Sequence, residues 1–249
     1  MGDFMSEYLY VEKPFLDQLE SLNWTVIDHG PNGIPQDPTI SLRESFNEIV
    51  IKQEFKKCIK KINKTKDGIE WITDSQLDEL YKMITSDDYE SLLEANKAIT
   101  ELLIETLPRL DKNEVTGQEN PYVNLIDFEE PKNNHFLAIN QYRIDTQGGV
   151  KAYIIPDIVL FVNGIPLVVV ECKVPTEIDS DAMEEGIRQL LRYQNRRLNT
   201  EGKIDNEGKK QLFYTNQFMI STYGDEARVG TISSEYEHFL QWKSIYPNK

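Results

Sequence analysis

The chain has 249 residues, of which 39% are apolar and 28% charged, and its net charge is −15. That length can bury the core of one large domain or two small ones, and so acidic a balance excludes an indiscriminate nucleic-acid binder. No run approaches 18 consecutive apolar residues, and the acidic start MGDFMSEYLYVEK lacks the basic and apolar regions of a secretory signal. The expected location is therefore cytoplasmic, with no membrane partner. Two cysteines, Cys58 and Cys172, are too few for a disulfide framework or a zinc site.

In chain order, apolar residues at Val11, Phe15, Leu16, Leu19 and Leu22 share one helix face, which predicts a helix over Val11 to Leu22. A short strand is expected from Trp24 to Ile27. Ser41 with Glu44 reads as a capping box that opens a helix to about Ile62, and Thr73 with Gln76 as another. A long helix is expected from Asp88 to Leu107. Lys56, Lys57, Lys60, Lys61, Lys64 and Lys66 crowd one segment, a solvated helix face or a phosphate contact.

After a polar stretch from Arg109 to Pro121 the periodicity changes. YVNLIDF, HFLAINQYRI, VKAYIIPDIVLFV and IPLVVVECKV are successive strand candidates rich in β-branched and aromatic residues. The last two are apolar on both faces and should be central, with helices on either side. Asp181 to Glu184 should cap a helix that runs through Arg197, with Met183, Ile187, Leu190, Leu191 and Leu198 as its core stripe, and QLFYTNQFMIST supplies one or two more strands. The fold expected is an α/β or α+β sandwich. A mainly helical region, 1–115, would pack on or insert into a core of 116–249.

Asn163-Gly164 marks a tight hairpin turn between the two central strands. A three-residue loop, Asn163 to Ile165, would set Val162 opposite Pro166 and Asp157 opposite Glu171, with Lys173 on the same face as Glu171. Facing carboxylates about 5 Å apart repel by roughly 3 kcal/mol at an effective dielectric constant near 20, and one lysine offsets only part of that. A divalent cation such as Mg2+, which takes hard oxygen ligands, would resolve the rest. The alternative is a set of strand-end charges in solvent. Cys172 points to the other face and reads as a small core residue.

On the helix that follows, Gln189 and Tyr193 share a face, and Arg188, Arg192 and Arg196 repeat at four-residue spacing nearby. Packed against the hairpin, this face would rim the carboxylates, where glutamine and tyrosine could hold a sugar-phosphate backbone and the arginines its phosphates. A Gln-Tyr pair with solvated arginines is the plainer alternative.

Pro156-Asp157, thirteen residues, then Glu171-Cys172-Lys173 resemble the PD-(D/E)xK nuclease core, and Gln189 with Tyr193 resembles the QxxxY motif of its RecB-like branch. More narrowly, NHFLAINQYRI, PDIVLFVNGIPLVVVECKVP, RQLLRYQN and FMISTYGDEARVGTISSEYEHFLQWK are similar to the N-terminal nuclease region of the R subunit of type I restriction enzymes. VEKPFLDQLESLNW and LRESFNEIVIKQEFKKCIKKIN are similar to that subunit's opening helices.

The resemblance implies a restriction-endonuclease-like sheet flanked by helices and Mg2+-dependent hydrolysis of double-stranded DNA. Asp157, Glu171 and the main-chain carbonyl of Cys172 would hold the metal, and Lys173 would orient a water and stabilise developing charge. Gln189, Tyr193, Arg188, Arg192 and Arg196 would contact DNA. A first-helix glutamate joins the metal site in related nucleases; Glu12 matches by position, with Glu7, Glu44 and Glu48 as rivals. Methyltransferase and specificity subunits would be partners. ATP would act only through motor domains, whose G-x-x-x-x-G-K-[ST] pattern is absent here, so a helicase motor is expected past Lys249. Two rivals remain: a free-standing, resolvase-like nuclease selective for branched DNA, and an assembly module inactive outside the complex.

Overall fold

A computed structural model describes residues 7–31, 33–174, 182–197, 204, 206–223 and 226–243. Its described residues form a mixed α/β fold of five α-helices and a seven-stranded sheet. Tyr8–Glu12 form a wide turn of π-helix that runs directly into α1, Lys13–Ser21, with Pro14 in its first turn. Strand β1, Thr25–Ile27, follows.

The expected capping box at Ser41 does not form. The Ser41 hydroxyl donates to Pro38 O within a 3-10 turn, and Leu42 takes a left-handed φ of 59°. The Arg43 guanidinium is buried 3.7 Å over the Tyr142 ring, which draws the chain off a helical path. Helix α2 therefore begins only at Lys52 and spans Lys52–Ile62, with the Glu48 carboxylate accepting from the Lys52 N–H.

Helix α3, Asp74–Thr85, opens with the reciprocal Thr73–Gln76 capping box that its sequence predicts. Ser91, rather than Asp88, caps α4, Leu92–Ile104. These three helices bury Phe55, Ile59, Leu77, Leu80, Ile84 and Ile99 in one apolar cluster. The lysines of α2 pair with acids across the cluster's surface: Lys56 with Asp78, Lys57 with Glu54, and Lys60 with Asp74.

YVNLIDF is not a strand. Val123 and Leu125 are buried, but the Asn63 side chain bonds both the N–H and the C=O of Asn124 at 2.8 Å. The backbone satisfaction that a neighbouring strand would supply is thus met by one amide.

The remaining strands are β2, Phe136–Asn140; β3, Ile144–Asp145; β4, Tyr153–Ile154; β5, Ile158–Val162; β6, Ile165–Lys173; β7, Phe218–Tyr223; β8, Glu226–Gly230; and β9, Leu240–Gln241. Strands β3 and β4 form a separate pair, and the main sheet runs β1-β2-β5-β6-β7-β8-β9, with β1–β2 and β6–β7 parallel and the other neighbours antiparallel. The apolar hairpin β5–β6 is central, as two-sided hydrophobicity requires.

One face, through Val159, Phe161 and Val169, packs on Met183, Ile187, Leu190 and Leu191 of helix α5, Ala182–Tyr193. The other, through Ile158, Val168, Val170 and Cys172, meets Val11, Phe15, Leu16 and Leu19. Helix α5 ends four residues before Arg197, because Asn195 turns left-handed at φ 60° and the Arg196 N–H returns to Leu191 O. Asp181 and Leu198 lie outside the described residues. No helix among the described residues is long and apolar enough to cross a membrane.

The hairpin loop is shorter than expected. Val162 pairs with Ile165, not with Pro166, so Asn163 and Gly164, at φ 54° and 78°, make a two-residue turn that needs positive φ at both positions. A bulge beside Leu160 and Phe161 then shifts the ladder by one residue, and Leu167 is the extra member, because Leu160 pairs with Val168 and Ile158 with Val170. Carried one step on, that register sets Asp157 opposite Glu171.

Candidate active site

The end of the sheet beyond the Ile158–Val170 pair gathers acids around one lysine. Lys173 Nζ lies 2.8 Å from Glu171 Oε1, 3.3 Å from Glu7 Oε1, 3.9 Å from Asp157 Oδ2 and 3.1 Å from the carbonyl of Cys172. The Cys172 N–H donates to Asp157 Oδ2 at 2.7 Å, so β6 itself fixes that carboxylate. The Cys172 side chain sits in the opposite apolar layer, fully buried.

Glu12 closes the cluster from the π-helical turn. Its carboxylate accepts from Asn140 Nδ2 at 3.3 Å and from Gln141 Nε2 at 3.2 Å. Gln141 is left-handed, with φ 49°, and its N–H donates to Asp157 O at 2.7 Å. One strained residue thus ties Glu12 to the Asp157 backbone. Of the rivals, Glu7 reaches Lys173 as well, while Glu44 and Glu48 lie together at the start of α2, where the Glu44 N–H donates to Glu48.

Burial leaves these charges under-compensated. Burial, and then the charge of Asp157, raise the Glu12 pKa to about 8 against the two amide bonds. The same two causes hold Glu171 well above the carboxylate range despite Lys173. Burial alone would lower the Lys173 pKa, but the charges of Glu171, Asp157 and Glu7 outweigh it and the net shift is upward. Glu171 Oε2 is buried with no hydrogen-bond partner, a position that costs free energy unless a cation or proton fills it. The donors are all hard oxygens, so the set fits Mg2+ or Mn2+.

Helix α5 lies against this end. A Cβ on Gly186 would stand 2.3 Å from Ser221 Oγ and 3.4 Å from Lys173 Cγ, so a larger residue here would displace the Ser221 hydroxyl from its bond to Met183 O. Gln189 Nε2 donates to Tyr193 Oη at 2.6 Å, and Tyr193 Oη donates to Ile155 O at 2.9 Å. The pair therefore anchors the segment entering Pro156-Asp157. Burial, then the charges of Glu171 and Asp157, push the Tyr193 pKa well up.

Gln189, Arg192 and Tyr193, with Lys151 and Tyr153, line a cavity of about 300 Å3. The arginines are engaged with acids: Arg188 with Glu184, Arg192 with Glu185 at 2.5 Å, and Arg196 with Glu235 at 2.6 Å.

Asn140, Gln141 and Gly186 carry no motif of their own in one sequence. The single strand expected over HFLAINQYRI instead breaks at Gln141, between β2 and β3.

The N-terminal family model of the type I restriction enzyme R protein matches residues 4–238. The chain belongs to that family. Among its curated relatives, the HindI endonuclease subunit of Haemophilus influenzae is 29% identical over 235 residues, covering 94% of this chain and 20% of the relative. A putative MjaIXP endonuclease subunit of Methanocaldococcus jannaschii is 26% identical over 243 residues, covering 97% and 21%. Its putative MjaVIIP counterpart is 42% identical over 71 residues. The chain thus spans about a fifth of the length of the first two.

Proposed function

We propose that this chain is the DNA-cleaving region of a type I restriction R subunit, a PD-(D/E)xK nuclease with a QxxxY helix. The observation that carries the reading is the buried, partnerless Glu171 Oε2 amid Asp157, Glu12 and Lys173. Asp157, Glu171, the Cys172 carbonyl and Glu12 would hold Mg2+. When bound, such an ion supplies Lewis acidity and lowers the pKa of a coordinated water.

The chain's own groups do the rest. The Cys172 N–H orients Asp157, and Gln141 and Asn140 orient Glu12. Lys173, held protonated by its carboxylates, positions the attacking water and stabilises the charge that develops on the phosphate. Gln189 and Tyr193 fix the Asp157 corner and border the cavity where a sugar-phosphate backbone would lie. Arg188, Arg192 and Arg196 would exchange carboxylates for phosphates. Such contacts read backbone rather than sequence, which leaves target choice to methyltransferase and specificity subunits and ATP use to a motor elsewhere in the R subunit.

Calorimetric titration with Mn2+ tests the centre of this reading. The wild-type chain should bind the ion, and Asp157→Ala should lose at least tenfold in affinity; equal binding by both would reject the assignment.

A further inference from the structure

At the opposite end of the β5–β6 hairpin, roughly 20 Å of strand away from Asp157, three other donor side chains meet. Glu54 and Cys58 stand one turn apart on α2, and His135 precedes β2. His135 Nδ1 lies 2.8 Å from Glu54 Oε1, Cys58 Sγ lies 3.4 Å from the same oxygen, and all three donor atoms fall within 4.8 Å of one another. A tetrahedral zinc with these donors would set its ligand atoms about 3.3–3.5 Å apart, so the imidazole and carboxylate would open by about half an ångström while the thiol and imidazole, at most 4.8 Å apart, close toward one another.

A second observation points to a ligand. His135 Nδ1 is fully buried and is met by the Glu54 carboxylate at 2.8 Å, an ion-pair contact off ideal hydrogen-bond geometry. Nε2, by contrast, bonds Thr25 Oγ1 at 2.8 Å, the outer contact that orients metal-binding imidazoles. The backbone is rigid on both sides. The His135 N–H donates to Asn163 Oδ1, and its C=O accepts from the Asn163 N–H, both at 2.9 Å. The Ile51 N–H, just ahead of α2, donates to Gly164 O at 2.9 Å.

We propose that Glu54, Cys58 and His135 form a second cation site, of zinc-binding chemistry, with solvent as the fourth ligand, that clamps α2 to the turn of the central hairpin. A count of two cysteines argues only against sulfur-rich zinc sites; here one thiolate is joined by an imidazole and a carboxylate, each an ordinary zinc ligand. On binding, the Cys58 thiol proton leaves to solvent and an S–metal bond replaces the S–H bond. His135 contributes the neutral Nδ1 lone pair, Glu54 its carboxylate, and no electron is transferred.

Cobalt(II) titration of the whole chain tests this, because only a thiolate ligand gives an intense near-ultraviolet charge-transfer band. The band should appear at one equivalent, persist in Cys172→Ser and Asp157→Asn, and vanish in Cys58→Ser. Zinc chloride at about a hundredfold excess over Kd should raise Tm by roughly 5 to 10 °C in Asp157→Asn, which disables the carboxylate site, and not in Asp157→Asn combined with His135→Ala. Circular dichroism of each variant without metal checks that it is folded, and Glu54→Gln, which keeps the side chain's shape, substitutes for any that is not. No band in wild type, or an unchanged band in Cys58→Ser, overturns the proposal and leaves an ion pair beside a packed thiol.

Discussion

Leu77, Leu80 and Ile99 in the helical cluster and Glu171 in the sheet are all completely buried, yet their surroundings differ in kind. The leucines belong to one apolar cluster with Phe55, Ile59 and Ile84, and the helices that present them open with side-chain caps at Thr73 and Ser91. Around Glu171 stand Asp157, Glu7 and Glu12 with one lysine, and one of its own oxygens has no partner. The first region is organised for stability. The second holds unfavourable charge in place, a local conflict of the kind found where function rather than stability is served.

The contrast is open to test from both sides. Leu80→Ala should cost about 2–5 kcal/mol in urea unfolding, since the cavity it leaves cannot be filled by water at low cost; a loss under about 1 kcal/mol would mean that the cluster is loosely packed.

In the metal-free chain, Glu12 should make stability fall with pH. Its folded pKa of about 8 exceeds the ordinary 4.5, so the folded state keeps a proton that the unfolded state has released. Its contribution is whole below about 4.5 and gone above about 8. Thermal melts over that window should decline by on the order of a few kcal/mol in wild type, and the slope should flatten in Glu12→Gln.

Lys173→Ala should lower DNA cleavage by the assembled enzyme at saturating Mg2+ about a hundredfold or more, with metal binding kept, because the ammonium opposes rather than supports a cation among the same carboxylates. Weaker metal binding in this variant would turn the electrostatic argument around.

Tyr193→Phe should have the smallest effect: about 1 kcal/mol in stability, from the bond lost at Ile155 O, and a smaller fall in cleavage than Lys173→Ala. A fall as large would show that the hydroxyl meets the substrate directly.

How much of this could be read from sequence follows from where each signal resides. The central strands were legible because two-sided hydrophobicity and Asn163-Gly164 are local, and Thr73–Gln76 because a capping box spans four residues. Ser41 misled because the same local pattern was overridden by Arg43 stacking on Tyr142, a contact across 99 positions of sequence. YVNLIDF misled because an apolar extended segment is stabilised by Asn63 rather than by a strand. At the candidate site, the acidic residues and Lys173 announce themselves by type, whereas Gln141 and Gly186 matter through backbone conformation and clearance, which only the folded chain expresses.

The extra residue at Leu167 has a consequence for comparing chains. Turn and bulge act as a compensated pair: a turn longer by one residue needs no bulge, and a chain with this turn but no bulge would send Glu171 and Lys173 into the apolar layer and Cys172 among the carboxylates. A single-residue gap placed at Asn163-Gly164 in an alignment is therefore sound only when an opposite gap is placed at Leu167. Because the two cancel in length, an ungapped alignment keeps the acidic positions of two such hairpins paired and misplaces only the residues between turn and bulge, whereas an alignment that takes one gap alone pairs acidic positions with apolar ones.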